Sequence, residues 1–319
     1  MKKYYLIILA LLAFTSCNGQ EIVNTEFLNK LKYDPDRRAY GIQTTFYLPT
    51  EISVNDYPIL KGYEFFGTNM PAFVDIAINR SGEQELKILI DLKNYKKQES
   101  PILKIILFKS TVNLSVIASA WTEPENKKLI EYELRSDGLS QDDLRKGYFA
   151  KTIKFKAKIP VQLISSDKSV PLKNSPELLD KLYNAMKQLT DDLNSKKDDQ
   201  VVKAIQKAEY ETAQLRGMKH EWVLNERKAI LSNTFSLLPK DRCELKIYGN
   251  GKLATLVEKS KDVIKQSAIT STFKKKNPQS DVHQLYNLYY HQPDERAEME
   301  LIKFDGYAIT RYGKKMPVP

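Results

Sequence analysis

Residues 152–163 alternate more strictly than any other part of the chain, and this pattern constrains the fold most. Six apolar residues occupy every second position and three lysines lie between them: Ile153, Phe155, Ala157, Ile159, Val161 and Leu163, then Lys154, Lys156 and Lys158. A period of two with one charged face predicts an antiparallel strand that is buried on one side only. Pro160 cannot donate to a ladder, so we expect an edge strand or a bulge at this position, and the exposed lysines would discourage pairing at an edge.

Shorter runs of the same kind precede this strand and predict more of the same sheet structure. They cover residues 43–48, 73–78, 86–92, 102–108, 112–121 and 129–134. Residues 79–83 predict a hairpin connection, and the dense apolar run at 102–108 predicts a central strand. Seven or more short strands joined by polar turns favour an antiparallel β-sandwich-like domain over residues 32–170.

Residues 171–232 change to a helical pattern. Ser175 can cap a helix, Pro176 suits the first helical position and Glu177 complements the helix dipole. Apolar residues then recur three or four positions apart in two stripes: Leu178, Leu182, Met186, Leu189 and Leu193, then Val201, Ile205, Ala208, Thr212 and Leu215. Each stripe predicts one amphipathic helix.

The two helices are separated by polar residues 194–199, which predicts a helical hairpin. We expect its second arm to run on to Leu231, with Gly217 as a bend or weak point. The hairpin either packs on the β-rich parts or acts as a partner-binding coiled-coil arm. Each stripe spans too few heptads to decide, and packing is the plainer interpretation.

Residues 233–319 predict a small antiparallel β-containing domain. Asn250 stands between two glycines that separate alternating runs at 244–248 and 252–257, which is a strong hairpin signal. We expect further strands at 269–273, 282–290, 299–304 and 307–312, a turn at Asp305-Gly306 and a short helix at 260–266. The expected fold class is therefore α+β, with a β-sandwich-like domain, a central helical hairpin and this C-terminal part.

The N-terminus has the order of a secretory signal. A positive start at residues 1–3, an uncharged apolar run at 4–14 and small residues at 15–16 precede Cys17. The apolar run is about half of the ~20 residues that a membrane-spanning helix needs. We therefore expect residues 1–16 to be a signal peptide that is removed.

Residues 14–17 (Phe-Thr-Ser-Cys) resemble the lipobox of bacterial lipoproteins, with Phe14 where that pattern usually has an aliphatic residue. The resemblance implies that Cys17 receives a diacylglyceryl thioether, that the chain is cut before it, and that the new amino group is acylated. Two or more acyl chains hold a protein firmly to a membrane. Residues 17–31 would then be a lipidated tether in the bacterial cell envelope, and an ordinary signal cut near Ser16 is the alternative.

The net charge bears on possible partners, although a solvated surface is its plainer explanation, and a lipidated Cys17 would leave no internal disulfide. The net charge is +10, or +8 without residues 1–16, whose only charged residues are two lysines. Such an excess favours a protein or an anionic envelope ligand as partner, besides the membrane, and nucleic acid is not expected. Cys243 is the only other cysteine, and we expect it to be a small buried residue.

Catalytic motifs are scarce in this sequence. It contains no zinc-protease histidine pair, no nucleophile elbow and no phosphate-binding loop. The weak catalytic candidates are His283, His291 and Asp294. On one strand the two histidines would lie roughly 26 Å apart at ~3.3 Å per residue, too far to share a metal, and no metal or cofactor is expected.

Aromatic and basic clusters give weak candidates for recognition. The candidate binding residues are Tyr286, Tyr289, Tyr290, Lys274, Lys275 and Lys276. Tyrosine is enriched at interfaces, and lysines can steer an anionic partner. A core position for the tyrosines and a solvated loop for the lysines are the plainer interpretations.

These observations favour a membrane-anchored envelope lipoprotein that is a non-enzymatic binding, inhibitor or interaction protein. An envelope hydrolase or glycan-processing enzyme with an unrecognised site is the first alternative. A helical assembly element built on residues 171–232 is the second.

Intact mass spectrometry of the native protein tests the anchor. We expect a chain that begins at Cys17 and carries acyl chains, because the lipobox-like residues direct both cleavage and modification. A bare thiol at Cys17, or a chain that still begins at Met1, would contradict the interpretation.

Overall fold

The computed structural model describes residues 27–32, 39–63, 70–97, 99–110, 127–159, 169–273 and 282–310. These parts of the chain form four α-helices and fourteen strands, and the strands pair in an antiparallel manner. The predicted α+β class is confirmed at this level. The signal peptide, Cys17, the run at 112–121 and the lysines at 274–276 lie outside the described residues.

Two four-stranded sheets come from the first half of the chain. The first has the order β4-β1-β6-β7, with β1 at Tyr40–Phe46, β4 at Met70–Phe73, β6 at Leu103–Lys109 and β7 at Lys127–Leu134. The second has the order β3-β2-β5-β8, with β2 at Thr50–Val54, β3 at Tyr57–Gly62, β5 at Gly82–Asp91 and β8 at Tyr148–Ala157. The central position predicted for the run at 102–108 is confirmed, because β6 pairs with β1 on one side and β7 on the other.

Strand β8 lies at an edge of the second sheet, as its lysine row predicts. Phe155 and Ala157 are buried, whereas Lys154 and Lys156 are exposed. Lys154 forms an ion pair with Glu83 on β5 at 2.8 Å. The strand ends at Ala157, and residues 160–168 lie outside the described part of the chain.

The strand predicted at 73–78 is wrong, and so is the hairpin that it was to form. Strand β4 ends at Phe73, and the chain turns into a single 3₁₀ turn at Asp75–Ala77. The buried Asp75 carboxylate accepts a hydrogen bond from the Tyr40 backbone N–H at 2.7 Å. This side-chain bond competes with a strand ladder, which an apolar pattern alone does not reveal.

The third sheet comes from the C-terminal part. Its strands are β9 (Thr234–Leu237), β10 (Cys243–Tyr248), β11 (Leu253–Glu258), β12 (Ile269–Phe273), β13 (Val282–His291) and β14 (Glu300–Thr310). Five of them pair in the order β10-β11-β13-β12-β9, and β14 also pairs with β13. The hairpin predicted at the glycines is confirmed, with Gly249, Asn250 and Gly251 at positive φ.

Two local predictions in this part are wrong. Asp305-Gly306 is not a turn, because both residues pair with β13 inside one continuous strand β14. Residues 260–266 form no helix; Lys265 instead donates to the carbonyl of Ser260 and forms an ion pair with Glu244 at 2.5 Å. In both segments a contact with another part of the chain accompanies the observed backbone: the ladder with β13 at residues 305–306, and the ion pair with Glu244 at residue 265.

The helices are α1 (Gln141–Lys146), α2 (Pro176–Asn194), α3 (Asp198–Arg216) and α4 (His220–Ser232). Ser175 caps α2 by accepting a hydrogen bond from the Leu178 N–H at 3.2 Å. Gly217 has φ of 62° and ends α3, so the predicted second arm is two helices and not one bent helix. No helix in the described ranges is both long and apolar enough to span a membrane.

Two buried apolar clusters organise these elements. The first core contains residues of the first two sheets, such as Ile42, Phe46, Ile88 and Ile105; the second core joins α2 and α3 to the third sheet through residues such as Leu182, Met186, Ile205 and Leu256. The apolar stripes of α2 and α3 are thus buried against the third sheet, as the packing interpretation of the helices expects. Cys243 is also in the second core, and burial raises the pKa of its thiol to about 11.

Strand β13 contributes to both cores. Tyr289 lies in the first core, whereas Tyr286, Leu288 and Tyr290 lie in the second. Successive side chains of a strand point to opposite faces, so the third sheet is covered on both sides along this strand.

Gly62→Ala tests the packing of β3 against β1. A Cβ at residue 62 would overlap the ring of Phe46, so we expect a loss of about 1–3 kcal/mol in the free energy of unfolding. The measurement is urea unfolding, and Phe46→Leu in the same chain should recover part of the loss. Gly138→Ala, whose Cβ meets only the end of the Leu134 side chain at 3.1 Å, is the control and should change stability little. Equal effects of the two substitutions would contradict the overlap.

Candidate functional site

The sequence-predicted site residues do not converge in one place. His283 is the second residue of β13 and its side chain lies outside the described part of the structure; His291 is the last residue of the same strand. Asp294 is exposed in the following turn, where its Oδ1 accepts a hydrogen bond from the Arg296 N–H at 2.9 Å. Within the described ranges no group of three or more histidine, cysteine or acidic residues is arranged to hold a metal.

The three candidate tyrosines are all buried. Tyr289 is fully buried and packs on Tyr57 with the ring centroids 4.7 Å apart. Tyr286 packs on Phe235 and Phe304 at 5.0 and 5.2 Å on the other face of the sheet. Tyr290 is in the same core as Tyr286, and burial raises its pKa. The rings therefore join the third sheet to its neighbours and present no exposed aromatic surface.

His291 belongs to a buried polar group at the end of β13. Its Nδ1 lies 2.6 Å from Ser169 Oγ, and its Nε2 lies 3.6 Å from Glu300 Oε2. Lys207 on α3 forms an ion pair with the same carboxylate. Electrostatics favours a proton on Nε2, the atom that faces Glu300. Burial lowers the pKa of His291, and the charge of Glu300 opposes that shift.

This group has the residue types of a serine hydrolase, and its serine is buried. A serine, a histidine and a carboxylate in a row are the arrangement of nucleophilic hydrolases. Here Ser169 is only 5% exposed, and neither Ser169 nor His291 lines the cavity between the two cores. The Val170 N–H donates to the Gln292 carbonyl at 3.0 Å, so the group fixes residues 169–170 to the end of the third sheet.

A cavity of about 720 Å³ lies between the two cores. Its lining comes from three directions. The first is residues 57–61 of β3 with Ala72, Phe73 and Ile76, and the second is Tyr286, Asn287, Lys303 and Phe304 of the third sheet. The third is α3, α4 and the residues that follow each of them: Ile205, Ala208, Glu209, Thr212, Arg216, Met218, Val223, Glu226, Ala229, Ile230, Ser232 and Asn233. On α3, Ile205, Glu209, Thr212 and Arg216 are three or four positions apart, so one face of that helix forms a wall. The lining is mainly apolar, with a few charged groups.

Three cations line this cavity, and each lies over an aromatic ring. Lys303 Nζ is 4.8 Å from the centre of the Tyr57 ring, and the Arg216 guanidinium is 4.9 Å from that of Phe73. Lys61 Nζ is 5.4 Å from the Tyr248 ring and 3.4 Å from Glu51. Such contacts are favourable when the cation is partly removed from water.

A buried ion pair supports the helix wall. Arg227 on α4 donates to both carboxylate oxygens of Glu209 on α3, at 2.6 to 3.2 Å, and both side chains are almost fully buried. Burial raises the pKa of Glu209, and the Arg227 guanidinium opposes that shift. Removal of one partner of a buried pair is strongly destabilising, because it leaves an uncompensated charge.

Two polar atoms of the lining residues lack a hydrogen-bond partner in the described structure. Asn287 is 2% exposed and its Oδ1 is unpaired. The Nε of Arg216 is buried and also unpaired, and its Nη1 reaches Glu226 only at 3.5 Å. Buried polar atoms are nearly always paired, so each of these atoms needs an explanation.

Sequence reasoning missed this site. Asn287 and Lys303 interrupt runs that are otherwise apolar or aromatic, and this interruption was the one available signal. Arg216 gave no signal in the sequence, because arginine is common in the last turn of a helix, where it interacts favourably with the helix dipole. The three lining directions come from residues up to about 250 positions apart, and only the fold brings them together.

The chain matches no known relative in three comparisons, made with protein-family models, with curated proteins and with solved structures.

The pH dependence of stability tests the environment of His291. Because its pKa is lowered in the folded protein, the unfolded chain binds more protons between that value and the ordinary pKa of about 6.5. We expect the stability of the native protein, relative to His291→Gln, to be constant above pH 6.5 and to fall as the pH is lowered through the pKa of the folded state.

Urea unfolding between pH 5 and pH 8 measures this difference. The control is Gln200→Asn at an exposed position of α3, which changes no ionisable group and should follow the native protein at every pH. A native-minus-His291→Gln difference that does not change with pH would contradict the expectation.

Proposed function

We propose that this chain is a lipid-anchored protein of the bacterial cell envelope that binds a ligand non-covalently in the cavity between its two cores. The cavity is the observation that carries the proposal. Its volume of about 720 Å³ and its mainly apolar lining with a few polar groups are typical of small-molecule sites.

The anchor in this proposal is the lipid on Cys17, with residues 17–31 as the tether. The net charge of +8 expected for the mature chain would attract the folded part to anionic headgroups or to an anionic envelope partner. Nucleic acid has no place in the proposal.

We propose a main boundary near residue 170, between a β-sandwich-like unit at 32–170 and the rest. The first two sheets share one core, which supports the first unit. The helical segment at 171–232 and the strands of 233–319 share the second core, which supports a common unit for these two parts. The cavity lies where the two units meet.

An envelope hydrolase is the second candidate, and the row of Ser169, His291 and Glu300 is the observation that favours it. Turnover of an envelope substrate that His291→Ala abolishes would support this candidate. The buried position of Ser169 and its separation from the cavity favour binding instead.

The test of ligand binding is to block the cavity. Ala229 is exposed at the cavity lining, so Ala229→Trp can fill the entrance with little effect on the core. The full chain is extracted from its membrane in lipid nanodiscs and purified, and the molecules released on denaturation are identified by mass spectrometry. Lys228→Trp, at an exposed position of the same helix outside the lining, is the matched control.

We expect the native protein and Lys228→Trp to release the same molecule in a fixed ratio to protein. Ala229→Trp should release at least tenfold less of it. Equal release from all three proteins, or no specific molecule from the native protein, would contradict the proposal.

A further inference from the structure

Charged groups of both signs line the cavity. Lys61, Lys303 and Arg216 stand against the carboxylates of Glu209 and Glu226, and Lys61 is already paired with Glu51 at 3.4 Å. Glu209 is neutralised by the two-pronged contact with Arg227, which lies behind the wall. Glu226 is more than half exposed and therefore interacts mainly with water. Arg216 reaches Glu226 only at 3.5 Å, so a negative group on a ligand can replace that distant contact.

Arg216 is the cation best placed to receive such a group. The Phe73 ring covers one face of its guanidinium, which leaves the N–H edges for hydrogen bonds. Its Nε is buried without a hydrogen bond in the described structure. A guanidinium presents two parallel N–H groups to a carboxylate or a phosphate, and such pairs are short and strong.

Lys303 contacts the same short segment of the chain as Arg216. Its Nζ donates to the backbone carbonyl of Ile76, while Arg216 covers Phe73, three residues earlier in the chain. The two cations therefore contact one short segment that runs into a tight 3₁₀ turn. One acidic group near this segment would interact with both of them.

Asn287 gives a second polar position on the third sheet. Asn287 lines the cavity, and its buried Oδ1 has no hydrogen-bond partner in the described structure. The lining around it is apolar, with side chains such as Ile59, Leu60, Ile205, Ile230 and Phe304. The cavity thus combines a cationic side with a long apolar surface.

We propose that the ligand of this cavity is an amphipathic anion, with an acidic head on Arg216 and Lys303 and an apolar body along the helix wall. The inference rests on the proposed function, since it names the ligand class of the same cavity. Carboxylate and phosphate heads share the required chemistry, and the experiment separates them.

The probes are decanoate, decyl phosphate and decanol, each below its critical micelle concentration. Isothermal titration calorimetry measures their binding to the full chain with Cys17→Ser, so that acyl chains on the protein do not compete. A hydrogen bond to a charged group is worth about tenfold or more in affinity. We therefore expect at least one of the two anions to bind at least tenfold more tightly than decanol, and the better anion identifies the head group.

Three variants locate the head group. Arg216→Met should weaken binding of the better anion at least tenfold and leave decanol unchanged. Arg216→Lys keeps the charge but lacks the paired N–H groups, so its affinity for the better anion should lie between those of the native protein and Arg216→Met. This variant also provides a test if Arg216→Met is unstable. Arg145→Met, at a highly exposed position outside the cavity, is the control and should not change binding.

The outcomes separate the ligand class from the function. If decanol binds as tightly as the anions, or if Arg216→Met and Arg216→Lys leave anion binding unchanged, the amphipathic anion is wrong. If Ala229→Trp still blocks all three probes in that case, the cavity is a binding site and the proposed function stands. If no probe binds and Ala229→Trp releases the same molecules as the native protein, both proposals are wrong.

Discussion

The burial of β13 on both faces is the constraint on which the rest of the structure depends. Tyr289 packs against Tyr57 and Tyr248 in the first core, and Tyr286 and Tyr290 pack in the second. Each large aromatic ring removes much apolar area from water, at about 25 cal/mol per Å². One strand thereby holds the first two sheets on one side and the helices on the other, and the position of the cavity follows from that arrangement.

Charged side chains are concentrated where these layers meet. Arg227 and Glu209 pair between α3 and α4, and Lys61 pairs with Glu51 between neighbouring strands of the second sheet. Apolar residues of similar volume would often be equally stable at such positions. Arg216 and Lys303 add two charges to the lining of the cavity itself, and Asn287 adds a neutral polar group.

Local patterns predicted the elements whose partners are close in sequence or whose ends carry their own signals. Ser175 capped α2, the glycines around Asn250 made the hairpin, and the lysines of β8 marked an edge strand. Predictions were wrong where a distant group decided the backbone. The Asp75 carboxylate bonds to the Tyr40 N–H, and β13 holds Asp305 and Gly306 in a ladder, although both stretches have other local preferences.

The sequence by itself determined the α+β class, the amphipathic stripes of α2 and α3, and the lipobox-like residues before Cys17, because each depends on the type and spacing of neighbouring residues. The tertiary structure alone decided that Tyr286, Tyr289 and Tyr290 are core residues and that Arg216, Asn287 and Lys303 share a cavity. The physical reason is that burial and charge compensation depend on which distant segments pack together, and contacts of that range leave no periodic signal in the chain.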